Sequence, residues 1–235
     1  MPENLLIPSV DMRIGSLEEY NRRQKEKIFA RKKMPKPRPC ITLTREYGCT
    51  GYPAAELLRE LMMQRTGDEW VMIDKAVLEE VSRRHNISKE ILETLGEKNR
   101  ILDEFLATFS PRWKSQHEYF SMLSRHIIAL AESGNVIIVE LGGPVISRHI
   151  EHSYHFRVYG SEEFKSSTLA ARLGMQPEEA EKLMHRQQKL RDHFTRDFLS
   201  SDDHDRSLYD LLFNNDRCTS EKIAHSIADF VLQPE

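Results

Sequence analysis

Arg45-Glu-Tyr-Gly-Cys-Thr-Gly-Tyr52 combines a cation, two glycines and small or polar residues, the types that let a backbone curl its N–H groups around an anion. Before it stands Cys40-Ile-Thr-Leu-Thr44, an apolar, β-branched run that reads as a buried strand. After it, Pro53-Ala-Ala-Glu-Leu-Leu58 reads as the start of an amphipathic helix, with proline in the first turn. Strand, glycine turn and helix is the layout of a phosphate-binding loop. The pattern G-x-x-x-x-G-K-[ST] would add a lysine on the β/γ-phosphates and a hydroxyl for Mg²⁺, and neither stands at those positions. Taken alone the stretch also fits an ordinary glycine turn, so the flanking sequence decides.

Two histidine-bearing stretches invite a metal reading. His149, His152 and His155 recur every third residue, and His204 sits among Asp202, Asp203 and Asp205. Neither spacing matches known zinc sites, and the first set straddles a helix end and a strand start, so no metal ligand is assigned. The three cysteines, Cys40, Cys49 and Cys218, form no C-x-x-C pair and point to a reducing, cytoplasmic setting. Cys49 reads as a reactive thiol if a helix N-terminus lowers its pKa, and otherwise as a small filler.

The elements that must position these residues alternate along the chain. Residues 1–38 form an arm: Ser16 and Glu19 make a capping box, and the basic helix they open runs into the linker Met34-Pro-Lys-Pro-Arg-Pro39. The arm is a candidate contact for a second subunit or a protein partner. Residues 39–235 form one domain. Strands are predicted at 40–44, 70–73, 135–141, 155–160 and 209–214. Helices are predicted at about 53–66, 76–85, 88–100, between 111 and 134, at 161–173, 176–198 and 220–232. Ala54, Leu57, Leu58, Leu61 and Met62 make the apolar stripe of the first helix, and Phe120, Leu123, Ile127, Ile128 and Leu130 that of the helix before Gly134. Strands alternating with helices imply an α/β, doubly wound parallel sheet.

The 34 basic and 37 acidic residues of this 235-residue chain give a formal charge of -3, which leaves no overall footprint for nucleic acid or an anionic membrane. No apolar run approaches the roughly 20 residues that span a bilayer.

Six segments in order resemble the cytidylate kinase-like branch of the P-loop nucleoside monophosphate kinases. Ile41-Thr-Leu-Thr-Arg-Glu-Tyr-Gly-Cys-Thr-Gly51 is similar to that branch's I-T-I-S-R-x-Y-G-S-G-G-R loop, and Ile73-Asp-Lys75 to its Y-D-K segment. Val136-Ile-Ile-Val-Glu-Leu-Gly142 resembles its V-I-V-G-R-G strand end, and Phe156-Arg-Val-Tyr-Gly160 the strand before its arginine-bearing lid. Ala170-Ala-Arg-Leu-Gly-Met-Gln-Pro-Glu-Glu-Ala180 resembles the lid entry, and Leu208-Tyr-Asp-Leu-Leu-Phe-Asn-Asn-Asp-Arg217 the last strand, Y-D-L-x-x-N.

The resemblance implies a P-loop NTPase-like fold with a helical lid, and transfer of the ATP γ-phosphoryl group to a CMP-like or other small acceptor with Mg²⁺ present. It makes the N–H groups of Gly48, Cys49, Thr50, Gly51 and Tyr52 the anion cradle. Cations would come from Arg45, Arg148, Arg172, Arg186 and Arg191, of which Arg45, Arg172 and Arg191 are preferred, with Asp74 as the acceptor-side carboxylate. A charged, solvated helix face would account equally for Arg172, Arg186, Arg191 and Arg196 without it. The chain departs from the pattern in several places: Thr50 replaces a glycine, Tyr52 an arginine, Glu140-Leu141 a Gly-Arg pair and Gln188 an aspartate, while Pro53 brings no hydroxyl. Threonine resists positive φ, so Thr50 is expected to keep the loop from wrapping closely. A second class of function therefore stands beside the kinase: a catalytically impaired relative serving as a nucleotide-sensing or interaction module.

Overall fold

In the computed structural model, the described residues are 38–74, 77, 116–199, 201–202 and 204–233. The expected helix at 76–85 apart from Val77, the helix at 88–100, the Ser16 helix and Asp203 lie outside them.

Five strands form one parallel sheet: β1 (Cys40–Arg45), β2 (Val71–Ile73), β3 (Val136–Val139), β4 (Ser153–Tyr159) and β5 (Leu211–Asn214), in the order β2-β3-β1-β4-β5. Because both faces are covered, β2 and β3 are apolar at every position, while β1 and β4 alternate apolar residues with the buried polar side chains of Thr42, Thr44, His155 and Arg157. Ile137 and Val139 of β3 point into one core, with Ile41, Leu43 and Phe156, while Val136 and Ile138 point into the other, with Val71 and Ile73. The first core is closed by helices α1 (Gly51–Thr66) and α6 (Ser220–Leu232), the second by α2 (Gln116–Ser133). Ile128, expected in the apolar stripe of α2, is instead exposed, whereas Ile127 and Leu130 are buried.

After β3 comes the short helix α3 (Gly143–Ser147), and after β4 the two lid helices α4 (Glu162–Leu173) and α5 (Pro177–Leu199). Ser161 caps α4 by accepting the Phe164 N–H, and Gly174 ends it at φ 65. Leu169 of α4 packs on Ala180 and Met184 of α5, a small core of its own that Tyr47 from the loop after β1 also enters. The chain after β1 and the lid are thus joined by burial.

Helix α1 starts two residues before the expected position. β4 starts at Ser153 rather than His155, because Cys40 and Ile41 pair with Ser153 and Tyr154 in parallel register. Such pairing depends on a partner more than 100 residues away in sequence, which local pattern does not register. β5 begins only at Leu211, since Asp210 turns back: its N–H donates to the His155 carbonyl at 2.7 Å and its carboxylate accepts the His155 N–H at 2.6 Å.

The side chain of His155 is buried, with Nδ1 2.8 Å from the hydroxyl of the fully buried Thr42. Burial holds the imidazole below its ordinary pKa, and the Asp210 carboxylate opposes this only in part. The folded chain keeps His155 neutral where the unfolded chain already protonates it. Its contribution is therefore complete above the unfolded pKa of about 6.5 and is lost as pH falls below that value. Wild type should lose up to ~1.4 kcal/mol of stability per pH unit there through this one proton. Urea unfolding at several pH values should show a shallower acid slope for His155→Gln; equal slopes would assign the acid sensitivity elsewhere.

Candidate phosphate site

The turn between β1 and α1 is held by long-range hydrogen bonds. The Glu46 N–H donates to the Val158 carbonyl at 3.0 Å, and the Cys49 N–H to the Glu46 carbonyl at 3.1 Å. Gly48 sits at φ 105, and a Cβ there would lie 2.7 Å from that of Lys165, so glycine is required by backbone angle and by space. Thr50 has φ -88, which any residue adopts. The expected conflict between threonine and the loop is absent, because the left-handed residue is Gly48. Instead Thr50 is stapled: its N–H and hydroxyl donate to Asn215 Oδ1 at 2.7 and 3.0 Å, and the Ser220 hydroxyl donates to Thr50 Oγ1 at 3.2 Å.

Of the cradle amides expected from the sequence, those of Cys49 and Thr50 are therefore taken by protein acceptors. Those of Gly48 and Gly51 meet none among the described residues. Gly51 opens α1, which has no side-chain cap, so its N-terminal partial charge faces the turn. Cys49 is buried, and burial pushes its thiol up to about 12, with Glu46 acting in the same direction. It fills space and is not a reactive thiolate.

Arg45 bends back over this helix end. Its guanidinium lies 5.0 Å from the Tyr52 ring centroid, and a Cβ on Gly51 would overlap its Cδ. Arg191, from the lid, donates to the Arg45 carbonyl at 3.0 Å and stacks 5.2 Å from the Tyr47 ring. Arg45 is held below its ordinary pKa chiefly by burial; Glu140 and Tyr52 oppose this, while the neighbouring Arg191 and Arg172 add to it. Arg45, Arg172 and Arg191 are thus brought together. Arg148 and Arg186 are exposed, and Arg148 donates to its neighbour His149 at 2.9 Å.

Glu140 enters this cluster from the end of β3, with Oε2 3.1 Å from Arg191 and Oε1 3.8 Å from Arg45. Its backbone is unusual. Glu140, Leu141 and Gly142 take φ values of 68, 64 and 68, three left-handed residues in succession. A non-glycine residue there costs about 1–2 kcal/mol. The glycine of the resembled pattern would sit at this angle without strain.

Asp74, buried at the end of β2, accepts the Tyr52 hydroxyl and, at 2.9 Å, the Val77 N–H. The lid clasps the turn at two further points. Gln188 accepts the Tyr47 N–H at 2.8 Å while donating to Asp192 at 2.8 Å, and Lys165 pairs with Glu46 at 2.7 Å. Asn215, Lys165 and Glu46 did not emerge from the sequence as site residues. The one signal for Asn215 was its place just after the Y-D-L-x-x-N strand.

The histidine stretches do not build a site. His155 is buried in the sheet and His149 is exposed after α3, while Asp205 caps the turn Arg206–Leu208 by accepting the Ser207 N–H at 2.9 Å. Among the described residues one group places ligand atoms within 4.8 Å of one another: Glu162, Glu181 and His185, all exposed on the lid.

A sequence model of the cytidylate kinase-like family matches residues 40–217, from the first residue of β1 to three residues before α6. The chain belongs to the cytidylate kinase-like family. The crystal structure of an uncharacterized protein from Eubacterium ventriosum ATCC 27560 shares the fold, with a TM-score of 0.57 over 84% of this chain and 100% of that one, at 15% identity. Comparison with curated proteins finds no match.

In this cytidylate kinase-like chain the turn depends on a carboxamide from the residue that follows the last strand. Asn215→Ala leaves the Thr50 N–H without its acceptor and frees the Cys218 carbonyl, now bonded to Asn215 Nδ2 at 3.0 Å. Urea unfolding should show a loss of about 1–3 kcal/mol. Asn215→Asp keeps the acceptor oxygen and should lose less; equal losses would show that the Thr50 contact is not the one that counts.

Proposed function

We propose that the chain is a nucleotide-binding phosphotransferase of the nucleoside monophosphate kinase type, moving the ATP γ-phosphoryl group to a CMP-like or other small acceptor. The observation that carries this is the meeting of Arg45, Arg172 and Arg191 at the uncapped N-terminus of α1, outside the carboxyl end of the central strand β1. In open parallel sheets ligands enter at that place, where strand order reverses. Phosphoryl transfer needs positioning and cations more than covalent help from the protein, because charge spreads over the phosphoryl oxygens in the transition state.

In this reading the open amides and the three arginines hold the nucleotide phosphates. Arg45 stands in for the missing cation at position 52 by lying against the Tyr52 ring. Asp74 faces the acceptor. The buried Arg45 Nε, which has no hydrogen-bond partner among the described residues, fits a phosphate oxygen. The donors fit Mg²⁺ less well: the Thr50 hydroxyl is engaged by Asn215 and Ser220, and Asp74 already accepts two donors. No helix among the described residues is long and apolar enough to cross a membrane. The cysteines are unpaired, which suits a cytoplasmic setting. Residues 1–38 are the proposed contact for a second subunit or partner.

A second reading has its own support. Glu140 inserts an anion among the arginines and Tyr52 binds the acceptor-side Asp74, an arrangement suited to a nucleotide-sensing or interaction module without turnover. Calorimetric titration with ATP, ADP and CMP, with and without Mg²⁺, followed by a coupled phosphotransfer assay, separates the two. The kinase reading expects ATP binding and turnover of one acceptor, whereas binding without turnover of any acceptor supports the module. Arg172→Ala and Arg191→Ala should each weaken ATP binding about tenfold or more. Absence of ATP binding at about 1 mM would defeat the kinase reading and leave only an interaction module.

A further inference from the structure

The carboxylate of Glu140 makes a poor fit with the cations around it. It reaches Arg191 at 3.1 Å but stays 3.8 Å from Arg45, well beyond the 2.7–2.9 Å of a charge-assisted hydrogen bond. Its Oε1 and the Arg45 Nε are both buried and both lack a hydrogen-bond partner among the described residues. A buried polar atom left unsatisfied is costly, and here two of opposite character occur in one ion pair. Toward Arg45 the carboxylate supplies charge without accepting a hydrogen bond. Its backbone is also held in the left-handed region, in a run of three such residues.

We infer that Glu140 is an internal surrogate for a ligand phosphate, occupying Arg45 and Arg191 until an oligophosphate displaces it, and that it thereby sets the affinity of the site. This rests on the phosphate-site reading above. The exchange is favourable on three counts. A phosphate group has enough oxygens to accept from Arg45 and Arg191 together and from the open Gly48 and Gly51 amides, whereas a carboxylate has two. A polyphosphate brings more than one negative charge to Arg45 and Arg191, which share a single glutamate carboxylate. The Glu140 side chain is already one-quarter exposed, so it can turn to solvent without the strand moving.

The test titrates the full chain calorimetrically with inorganic pyrophosphate and with ATP, each with and without Mg²⁺, for wild type, Glu140→Gln and Glu140→Gly. Glutamine keeps the size and removes the charge, while glycine accepts φ 68 without strain and secures a folded variant if glutamine fails. Both variants should bind pyrophosphate without Mg²⁺ at least about tenfold more tightly than wild type. Adding Arg191→Ala to either should abolish most of that gain. Equal or weaker binding by both variants, with wild type still binding, overturns the surrogate and leaves the phosphate site standing. Loss of ATP binding in the variants only when Mg²⁺ is present would make Glu140 a metal-holding group, and also overturns it. If no protein binds either ligand, the phosphate-site reading falls and the surrogate with it.

Discussion

The buried guanidinium of Arg45 is the constraint on which the rest of the site depends. It leaves the end of the central strand and folds over the first turn of α1, where burial alone disfavours its charge. Removing a cation from water costs several kcal/mol, which an opposite charge must largely offset. That charge comes from the adjacent strand: Glu140 follows β3 directly, and β3 pairs with β1 in parallel register. To aim the carboxylate inward the chain runs through three left-handed residues, the last a glycine. The strain at Glu140 and the burial of Arg45 are two sides of one arrangement.

The same pair ties the lid to the sheet. Arg191 bonds both Glu140 and the Arg45 carbonyl, so one lid side chain reads the positions of β1 and β3 together. Gln188 adds the Tyr47 amide, and the Tyr47 ring joins the small core of Leu169, Ala180 and Met184. Contacts of this kind attach the lid through side chains, not through sheet hydrogen bonds. Regions of this kind occupy the low-stability end of a fold, where ligand-driven motion is drawn. Movement of α5 would therefore change the environment of Arg45 and Glu140 at once.

Much of the architecture was legible because apolar spacing is a local property. The residues of β1 and β3 were readable as buried parallel strands, and α6 at Ser220–Leu232 matches the expected span. The site was legible only in part. Arg45, Arg172 and Arg191 were named from the resemblance, and they do lie together, but the agents that arrange the turn are Asn215, Lys165 and Glu46. Thr50 and Asn215 are 165 residues apart in sequence, and nothing in either segment announces the other. The role of Glu140 was half visible: a charge of the wrong sign was plain, while its left-handed backbone and its placement between two arginines required the folded chain.

The departures from the family pattern hold together physically, which argues against a loop that has merely decayed. Thr50 brings no strain, since Gly48 supplies the left-handed residue, and its hydroxyl gives Asn215 and Ser220 a second point of attachment. Tyr52 removes a cation from the helix start but offers a ring to Arg45 and a hydroxyl to Asp74. Pro53 is accommodated within the first turn of α1, where N–H groups have no intrahelical acceptor. Glu140 then offsets part of the charge that Arg45 and Arg191 bring to the cluster. Two open glycine amides and a guanidinium nitrogen that is unsatisfied among the described residues leave donors for an anion, as the proposed phosphate site requires. In the proposed site the altered residues would change how tightly an anion must compete to enter.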